Sequence, residues 1–206
     1  MPRFLSSQWT KVVAFLLCLE PLVELVYRQY RQDLGANPVE YITHQTGIWA
    51  LRFLALTLAI SPARKLLALP DLIRFRRMLG LYAFFFAYLH LMTYVWLDKF
   101  FDFGEMWKDV WKRPFITAGL TAFVLMLPLA LTSTAGSIRW LGGRRWQMLH
   151  RLVYGSAIAG VIHYYWLVKS DVRAPLSYAA VFATLFLLRL PFLPARSGKG
   201  YHSAAG

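Results

Sequence analysis

The chain has 206 residues, of which 58% are hydrophobic and only 16% charged, and it carries a formal net charge of +13. Soluble domains contain ~45–50% apolar and about 25% charged residues, so this composition excludes an ordinary soluble fold and indicates a protein that lies in lipid. Cys18 is the single cysteine, which excludes an intramolecular disulfide and a cysteine-based metal cluster.

Six apolar segments predict an all-α fold, an integral membrane bundle of six transmembrane helices. In chain order they are residues 12–27, 41–63, 78–97, 114–138, 152–168 and 174–188. The third, fourth and fifth contain no charged residue and are close to the ~20 residues that cross a bilayer. The first contains Glu20 and Glu24 and the second contains Arg52, so these two are weaker predictions.

The distribution of lysine and arginine predicts the orientation of the bundle. Basic residues concentrate near the N-terminus, in segments 64–77 and 139–151, and after residue 188. Because cytoplasmic loops carry the excess of positive charge, both termini are predicted to be cytoplasmic. Since the basic residues are scattered over four segments, nucleic-acid binding is not predicted. Residues 1–194 would form one membrane domain, and 195–206 a flexible cytoplasmic tail.

Two histidines are predicted to lie at the same depth in the membrane. His90 belongs to the third segment and His163 to the fifth, both of which run outward, and each falls in the outer half of its helix. An ionisable residue inside a membrane is costly and marks a functional site. Two imidazoles that face each other across a helix bundle are the usual axial ligands of a b-type haem. His90 and His163 are therefore predicted to be the two haem ligands.

Two further histidines are assigned by depth. His150 lies at the cytoplasmic start of the fifth segment and is predicted as a third ligand, whereas His44 lies at the outer mouth of the second segment and is interpreted as a rim residue. The thirteen residues between His150 and His163 rise by ~20 Å and leave a rotation of about 220°. Either the helix bends at Gly155 and Gly160, or the two histidines serve different sites.

Several arginines are candidates for binding the anionic groups of a cofactor. Arg52 lies within the second segment, where a haem propionate, Glu40 or the membrane interface would accept its charge. Arg74, Arg76 and Arg77 cluster at the inner end of the third segment, where they could bind a propionate or a flavin phosphate, or simply anchor the helix. Arg52 and Arg77 are the two arginines predicted to bind a cofactor.

Glycines and the loop at 98–113 complete the pattern. Five glycines lie within or at the ends of the predicted helices, where small residues let helices or a flat cofactor approach closely: Gly47, Gly80, Gly119, Gly155 and Gly160. The loop alternates charges with aromatic residues, which predicts either an amphipathic helix in the outer interface or an aromatic belt. No phosphate-binding loop or nicotinamide fingerprint occurs in the sequence, so a reductant would come from another protein or from the lipid.

Several segments together resemble a known family. They are LGANPVEYITHQTG (34–47), RRMLGLYAFFFAYLHLMTY (76–94), RPFITAG (113–119), LTST (131–134), RWQMLHRLVY (145–154) and IHYYWLVK (162–169). They resemble the haem-binding membrane subunits, MsrQ, of bacterial periplasmic methionine-sulfoxide reductase systems, within the ferric-reductase-like transmembrane superfamily. In that comparison His90, His150 and His163 match the histidines implicated in haem binding.

The resemblance implies an electron-transfer function. It implies a multi-pass protein of the bacterial inner membrane that holds haem b and also FMN, with one haem and the presence of a second left open. Electrons would come from a cytosolic flavin reductase or from quinol, and would go to a periplasmic molybdopterin enzyme that repairs oxidised proteins. The chain itself would not reduce the sulfoxide, and no catalytic residue is assigned to it.

Two other functions remain open at this point. The chain could be a self-standing cytochrome b that oxidises quinol or reduces ferric chelates. It could also be a non-redox transporter or an assembly scaffold, although the matched depth of His90 and His163 argues against that interpretation.

Overall fold

The computed structural model describes residues 7–189, and in this part of the chain it is entirely helical, without a β-strand. The all-α prediction is confirmed. The α-helices are α1 (Gln8–Tyr30), α2 (Pro38–Leu66), α3 (Ile73–Met92), α4 (Phe103–Lys112), α5 (Pro114–Leu131), α6 (Ala135–Leu141), α7 (Gly143–Leu149), α8 (Leu152–Leu167) and α9 (Arg173–Leu187). The predicted tail, 195–206, lies outside the described residues.

Each of the six predicted segments falls on a helix, namely α1, α2, α3, α5, α8 and α9. Three helical stretches are long and apolar enough to cross a membrane: Pro38–Leu66, Pro70–Asp98 and Pro114–Leu131. The remaining segments are helices of shorter length or higher charge. The count of six spans and the cytoplasmic position of both termini therefore stay predictions.

Two helix pairs form the bundle. α2 packs along α3, and α5 packs along α8, while α3 also contacts α5 and α9 covers α2 and α8. The centre of the α2–α3 pair is a stack of aromatic rings, in which Phe53 lies 5.3 Å from Phe86 and 5.4 Å from Tyr82 between ring centroids. All three rings are buried. This rigid pair fixes the position of His90, which follows Phe86 by one turn of α3.

The connection between α5 and α8, on the side that is predicted to be cytoplasmic and is called inner below, differs from the sequence prediction. The charge-free segment 114–138 is not one helix, because α5 ends at Leu131 and Thr134 caps α6 by accepting a hydrogen bond from the Ser137 amide at 3.0 Å. Gly142, with φ of 74°, then separates α6 from α7. A hydroxyl residue that caps a new helix can thus begin that helix within a continuous apolar segment.

His150 is the C-cap of α7, and α8 begins only at Leu152. The expectation that His150 and His163 start and end one helix is therefore wrong, because the chain turns between them. The alternative that the two residues serve different sites remains.

The outer connection between α3 and α5 folds back over the bundle. A π-helical segment, Thr93–Asp98, continues α3 directly after His90 and Met92. Phe100 and Phe101 then adopt positive φ angles of 46° and 64°, which turn the chain into α4. π-helical turns and left-handed non-glycine residues are both costly and often occur next to functional sites. Residues 103–112 of the loop at 98–113 thus form an amphipathic helix, which was one of its two interpretations, while its position in the outer interface stays a prediction.

Candidate functional site

The main cavity of the described structure lies in the outer part of the bundle. It has a volume of about 670 Å³ and is lined by α2, the end of α3, α4, α5 and α8. Its walls are mostly aliphatic and aromatic, with Leu51, Leu54 and Met126 at its inner end. His90 and His163 both line it. The structure therefore brings together the two histidines that the sequence places at equal depth.

Each of these two imidazoles is held by a backbone carbonyl of a neighbouring helix. The Nδ1 of His90 lies 2.8 Å from the carbonyl oxygen of Thr43 on α2, and the Nδ1 of His163 lies 2.6 Å from that of Phe115 on α5. A carbonyl accepts only, so Nδ1 carries the proton and donates in both rings. The Nε2 atom of each neutral ring then keeps its lone pair, which is the form that binds a metal.

Two glycines make room for the rings. A β-carbon at Gly119 would lie 2.7 Å from the Nδ1 of His163, and one at Gly47 would lie 3.0 Å from the Nδ1 of His90. A larger residue at Gly119 would displace the imidazole of His163, and one at Gly47 would require the ring of His90 to shift slightly. Gly47 is on α2 and Gly119 on α5, so each imidazole lies against the backbone of the helix that accepts its hydrogen bond.

The donor set and the space fit a haem. The centroids of His90 and His163 are 5.8 Å apart, and their planes meet at 75°. Two imidazoles that bind one metal ion from opposite sides, at about 2 Å each, have centroids about 6 Å apart. Apolar walls suit the tetrapyrrole ring. No group of three or more histidine, cysteine or acidic side chains that could hold a metal ion occurs in residues 7–189, so two histidines suit a haem better than a bare ion.

Other predicted residues lie at the rim or outside the cavity. His44 lines it but is exposed, with its ring 6.1 Å from Tyr164. Arg52 is also exposed, and its guanidinium lies over the ring of Trp49 at 4.6 Å. Arg52 is not among the residues that line the cavity in the described part of the chain. The prediction that Arg52 binds a cofactor is therefore not supported by its position.

Helix α4 covers the outer mouth of the cavity and is fixed by one buried carboxylate. Asp109 accepts hydrogen bonds from the Tyr94 hydroxyl at 3.0 Å and from the Lys99 Nζ at 2.9 Å through Oδ2. Its Oδ1 pairs with the Nε of Arg113 at 3.2 Å. Asp109 is only 8% exposed. These three partners come from the π-helical segment, from the turn and from the junction with α5, so one side chain ties α4 to both neighbours.

We expect the attachment of α4 to withstand mild acid. The hydrogen bond from Lys99, helped by Tyr94 and by the charge of Arg113, holds the pKa of Asp109 below its usual range. A carboxylate with a depressed pKa stabilises the fold above its unfolded pKa of about 4, and this contribution is lost only as the pH falls through the lower folded value. Hydrogen exchange of the α4 amides, corrected for intrinsic rates, should show equal protection at pH 5 and pH 8.

The matched variants for this expectation are Asp109→Asn and Glu105→Gln. Asp109→Asn should lower the protection of α4 at every pH, whereas Glu105→Gln, whose side chain is 61% exposed, should have little effect. Protection that falls between pH 8 and pH 5 in the unchanged protein would contradict the role given to Asp109.

His150 lies apart from the cavity, on the inner side. Its Nδ1 lies 3.1 Å from the carbonyl of Trp146, and its ring stacks on that indole with centroids 3.8 Å apart. Its Nε2 is buried and makes no well-aligned hydrogen bond within the described residues, although the carbonyl of Leu129 lies close enough to act on the ring. A buried polar atom without a well-aligned partner is costly, so this nitrogen is a candidate binding atom.

Arginines surround this inner position. Arg76 is half-buried and lies within electrostatic range of Arg64, Arg189 and His150. Arg189 donates through Nε to the carbonyl of Leu58 at 3.1 Å and through Nη1 to the Tyr154 hydroxyl at 3.1 Å. The groups together concentrate positive charge beside the buried Nε2 of His150.

Arg77, the arginine predicted to bind a cofactor, is exposed, whereas its neighbour Arg76 is half-buried and lies near His150. The role of Arg77 thus stays a prediction, and the structure favours Arg76 for the inner site. Arg189 was not selected from the sequence, because its distance along the chain from Leu58 and Tyr154 hides their contact.

Comparison with known proteins gives the family. The ferric reductase like transmembrane component family matches residues 46–161. A protein of Azospira oryzae is 55% identical over 89% of this chain and 78% of its own length, and one of Herminiimonas arsenicoxydans is 52% identical over 87% and 84%. One of Caulobacter vibrioides is 49% identical over 92% and 90%. All three are named protein-methionine-sulfoxide reductase heme-binding subunit MsrQ. The chain belongs to the MsrQ family.

Membership of the MsrQ family confirms the resemblance drawn from the sequence motifs, and it makes the chain a ferric-reductase-like membrane protein. The family match contains His90, Gly47 and Gly119, and it ends two residues before His163. No solved structure shows a significant match to the chain.

Proposed function

We propose that the chain is the haem-binding membrane subunit of a methionine-sulfoxide reductase system. It would transfer electrons across the bacterial inner membrane to a catalytic subunit on the periplasmic side. The observation that carries the proposal is the pair His90 and His163, each with Nδ1 bound to a carbonyl and Nε2 available in one apolar cavity. The names of the MsrQ relatives support it.

The residues of the cavity would prepare the site for electron transfer. Haem b, when bound, supplies one-electron oxidation and reduction at its iron. His90 and His163 would hold the iron, and their carbonyl partners Thr43 and Phe115 fix the Nδ1–H tautomer and the orientation of each ring and increase the basicity of Nε2. The apolar walls exclude water, which limits reorganisation when the charge of the iron changes. No step requires proton transfer by these two histidines, so a catalytic residue is not assigned.

The inner site lies close enough to the cavity for the two to form one path. Leu54 lines the inner end of the cavity, and Leu58, whose carbonyl accepts from Arg189, follows it by one turn of α2. Four residues of an α-helix rise by about 6 Å. On α8, Ser156 lines the cavity and Tyr154 contacts Arg189. A redox group beside His150 would therefore lie next to the floor of the haem cavity.

The inner site is proposed to bind FMN. A flavin mononucleotide has a phosphate that arginines bind through charge-assisted hydrogen bonds, and Arg76, Arg189 and Arg64 supply such charge. The buried Nε2 of His150 and the flat face of Trp146 are further contacts that a polar aromatic ligand could use. FMN, when bound, would supply the conversion between two-electron and one-electron transfer, and the proposed electron source is a cytosolic flavin reductase or quinol.

Arg76→Gln is expected to lower the flavin content of the purified protein about tenfold, because a charge-assisted hydrogen bond to phosphate contributes roughly 1.5–3 kcal/mol. The haem spectrum should be unchanged. Arg77→Gln is the matched control, since Arg77 is the exposed neighbour on the same helix. Equal flavin loss in both variants would mean that overall basicity, rather than this site, retains the flavin.

The proposed partner is a periplasmic molybdopterin-containing catalytic subunit, which would reduce methionine sulfoxide and so repair oxidised proteins. The experiment is to place the haem-loaded chain in vesicles, with flavin reductase and reduced nicotinamide on the inner side and the partner outside. Oxidation of the haem should accelerate when partner and sulfoxide are added together.

Other outcomes of this experiment define the alternatives. Haem that is oxidised by ferric chelates but not by the partner would make the chain a self-standing cytochrome b. If the protein retains no haem when haem is supplied in excess, and so shows no Soret absorption, the chain would belong to the transporter or scaffold class. Replacement of the flavin reductase by a quinol on the donor side tests the second electron source.

A further inference from the structure

The outer mouth of the haem cavity contains one arginine whose orientation is fixed by Asp109. Arg113 lines the cavity, and among the lining residues it is the one lysine or arginine, while Asp98 is the one acid. In residues 7–189 no ion pair joins Asp98 to Arg113. Arg113, whose side chain is 51% exposed, therefore places its positive charge at the cavity mouth, with the Asp109 carboxylate as its ionic partner among the described residues.

The backbone of Arg113 is fixed as firmly as its side chain. It is the C-cap of α4 and the N-cap of α5, with φ of −122°, and Pro114 follows it in the first turn of α5. Its amide donates to the carbonyl of Asp109 at 2.9 Å, and its Nε pairs with Oδ1 of the same residue at 3.2 Å. The planar guanidinium is thus attached through one edge only.

The remaining donors of Arg113 suit a carboxylate. A guanidinium has five N–H groups, and the Nε bond to Asp109 uses one of them, which leaves the terminal nitrogens for a second anion. Its planar fork matches a carboxylate with two parallel hydrogen bonds. A b-type haem has an apolar face and carries its two propionates on one edge. With the iron between His90 and His163 and apolar walls around the ring, that edge has to emerge where the cavity is polar.

We propose that Arg113, held by Asp109, binds a haem propionate at the outer mouth of the cavity. This inference rests on the proposed haem site at His90 and His163 and assigns its anion partner. Asp109 is a positioning residue, since it contacts Arg113 and not the cavity. The same carboxylate that attaches α4 to the bundle would thereby couple the closure of the cavity mouth to the retention of the cofactor.

The test compares haem b with its dimethyl ester, in which both propionates are uncharged. The full chain is prepared without haem in detergent and titrated with each compound, and the Soret band gives the two dissociation constants. Their ratio is compared between variants, because detergent partition of the ester then cancels. The preference for haem b over the ester is the ratio of the two dissociation constants. This preference should be about tenfold larger in the unchanged protein than in Arg113→Gln.

Lys112→Gln is the matched control, because it removes a neighbouring exposed charge from the same helix end, and it should keep the preference. Asp109→Asn should lower the preference less than Arg113→Gln does, and the double variant should equal Arg113→Gln alone, since Asp109 acts through Arg113. A purely structural effect of Asp109 would instead weaken both ligands equally and add to the effect of Arg113→Gln.

The outcomes separate this inference from the proposed function. In one outcome both compounds give a low-spin spectrum, and the ratio of their affinities is the same in the unchanged protein and in Arg113→Gln. The assignment of Arg113 is then overturned and the haem site stands. If neither compound gives a low-spin spectrum, the haem site itself is wrong. If Arg113→Gln fails to fold, the ratio in Asp109→Asn compared with that in Lys112→Gln carries the test, because the first variant should lower the preference for haem b and the second should keep it.

Discussion

Replacement of His163 by alanine is expected to abolish the low-spin haem spectrum and to weaken haem binding by at least about 10²-fold. The basis is geometric: His163 and His90 approach each other to 5.8 Å between centroids, and each is oriented through Nδ1 by a carbonyl of another helix. Loss of a residue that merely orients a ligand costs 10–100-fold in metal affinity, so loss of the ligand itself should cost more. His90→Ala should have the same effect.

The matched control is His44→Ala, since His44 lines the same cavity but is exposed at its rim. It should retain the low-spin spectrum and the potential within the error of the titration. His150→Ala should also retain this spectrum, because His150 lies outside the cavity lining, and lose flavin instead. An unchanged spectrum in both His90→Ala and His163→Ala would refute the axial pair.

The proximity of the two proposed haem ligands could be predicted because helices convert residue counts into depth. A rise of 1.5 Å per residue places His90 and His163 in the outer halves of their helices, and the structure indeed brings them into one cavity. Their hydrogen bonds to Thr43 and Phe115 could not be predicted in the same way. These partners depend on which helices are neighbours, and the sequence pattern alone contains no information on that choice.

The inner half of the site was harder to predict. The uniform apolar pattern of 114–138 hides the end of α5 at Leu131, because the capping residue Thr134 is as short and uncharged as its neighbours. A separate break, between His150 at the end of α7 and Leu152 at the start of α8, has no glycine or proline to mark it, so the prediction joined His150 to the helix of His163. Similarly, the position of Arg52 within a predicted membrane span indicated an anionic partner. A long side chain can instead reach an aromatic ring, and the guanidinium of Arg52 lies over Trp49.

The helical character of α4 could be predicted from the sequence, whereas its attachment to the bundle could not. Alternation of charges and aromatic residues indicates an amphipathic helix, and α4 has that character. The single acid that is buried, Asp109, cannot be distinguished from Asp102 or Glu105 by sequence pattern. It is buried because Tyr94, on the π-helical segment behind His90, and Lys99 both donate to it. Helix α4, the His90 helix and Arg113 are thereby one connected unit.

Replacement of Gly119 by alanine is expected to damage the haem site, although less than loss of a ligand does. The added β-carbon would lie 2.7 Å from the Nδ1 of His163 and 3.0 Å from its Cε1, which real contacts do not allow. The imidazole would have to leave the Phe115 carbonyl, so both its orientation and its tautomer would be lost. Overpacking of this kind costs roughly 1–3 kcal/mol in stability, and haem affinity should fall about tenfold or more.

Alanine substitutions at two other helix glycines should weaken haem binding less than Gly119→Ala does. Gly47→Ala brings a β-carbon to 3.0 Å from the Nδ1 of His90, so it should weaken haem binding less than Gly119→Ala. Gly80→Ala is the matched control on the His90 helix, where the nearest atom is the Cγ2 of Thr57 at 3.5 Å, an ordinary contact. It should leave the spectrum unchanged and stabilise α3 slightly, because alanine is the better helix former by about 1 kcal/mol. A haem titration in which Gly119→Ala behaves like Gly80→Ala would show that the close approach of His163 to α5 does not hold the ligand.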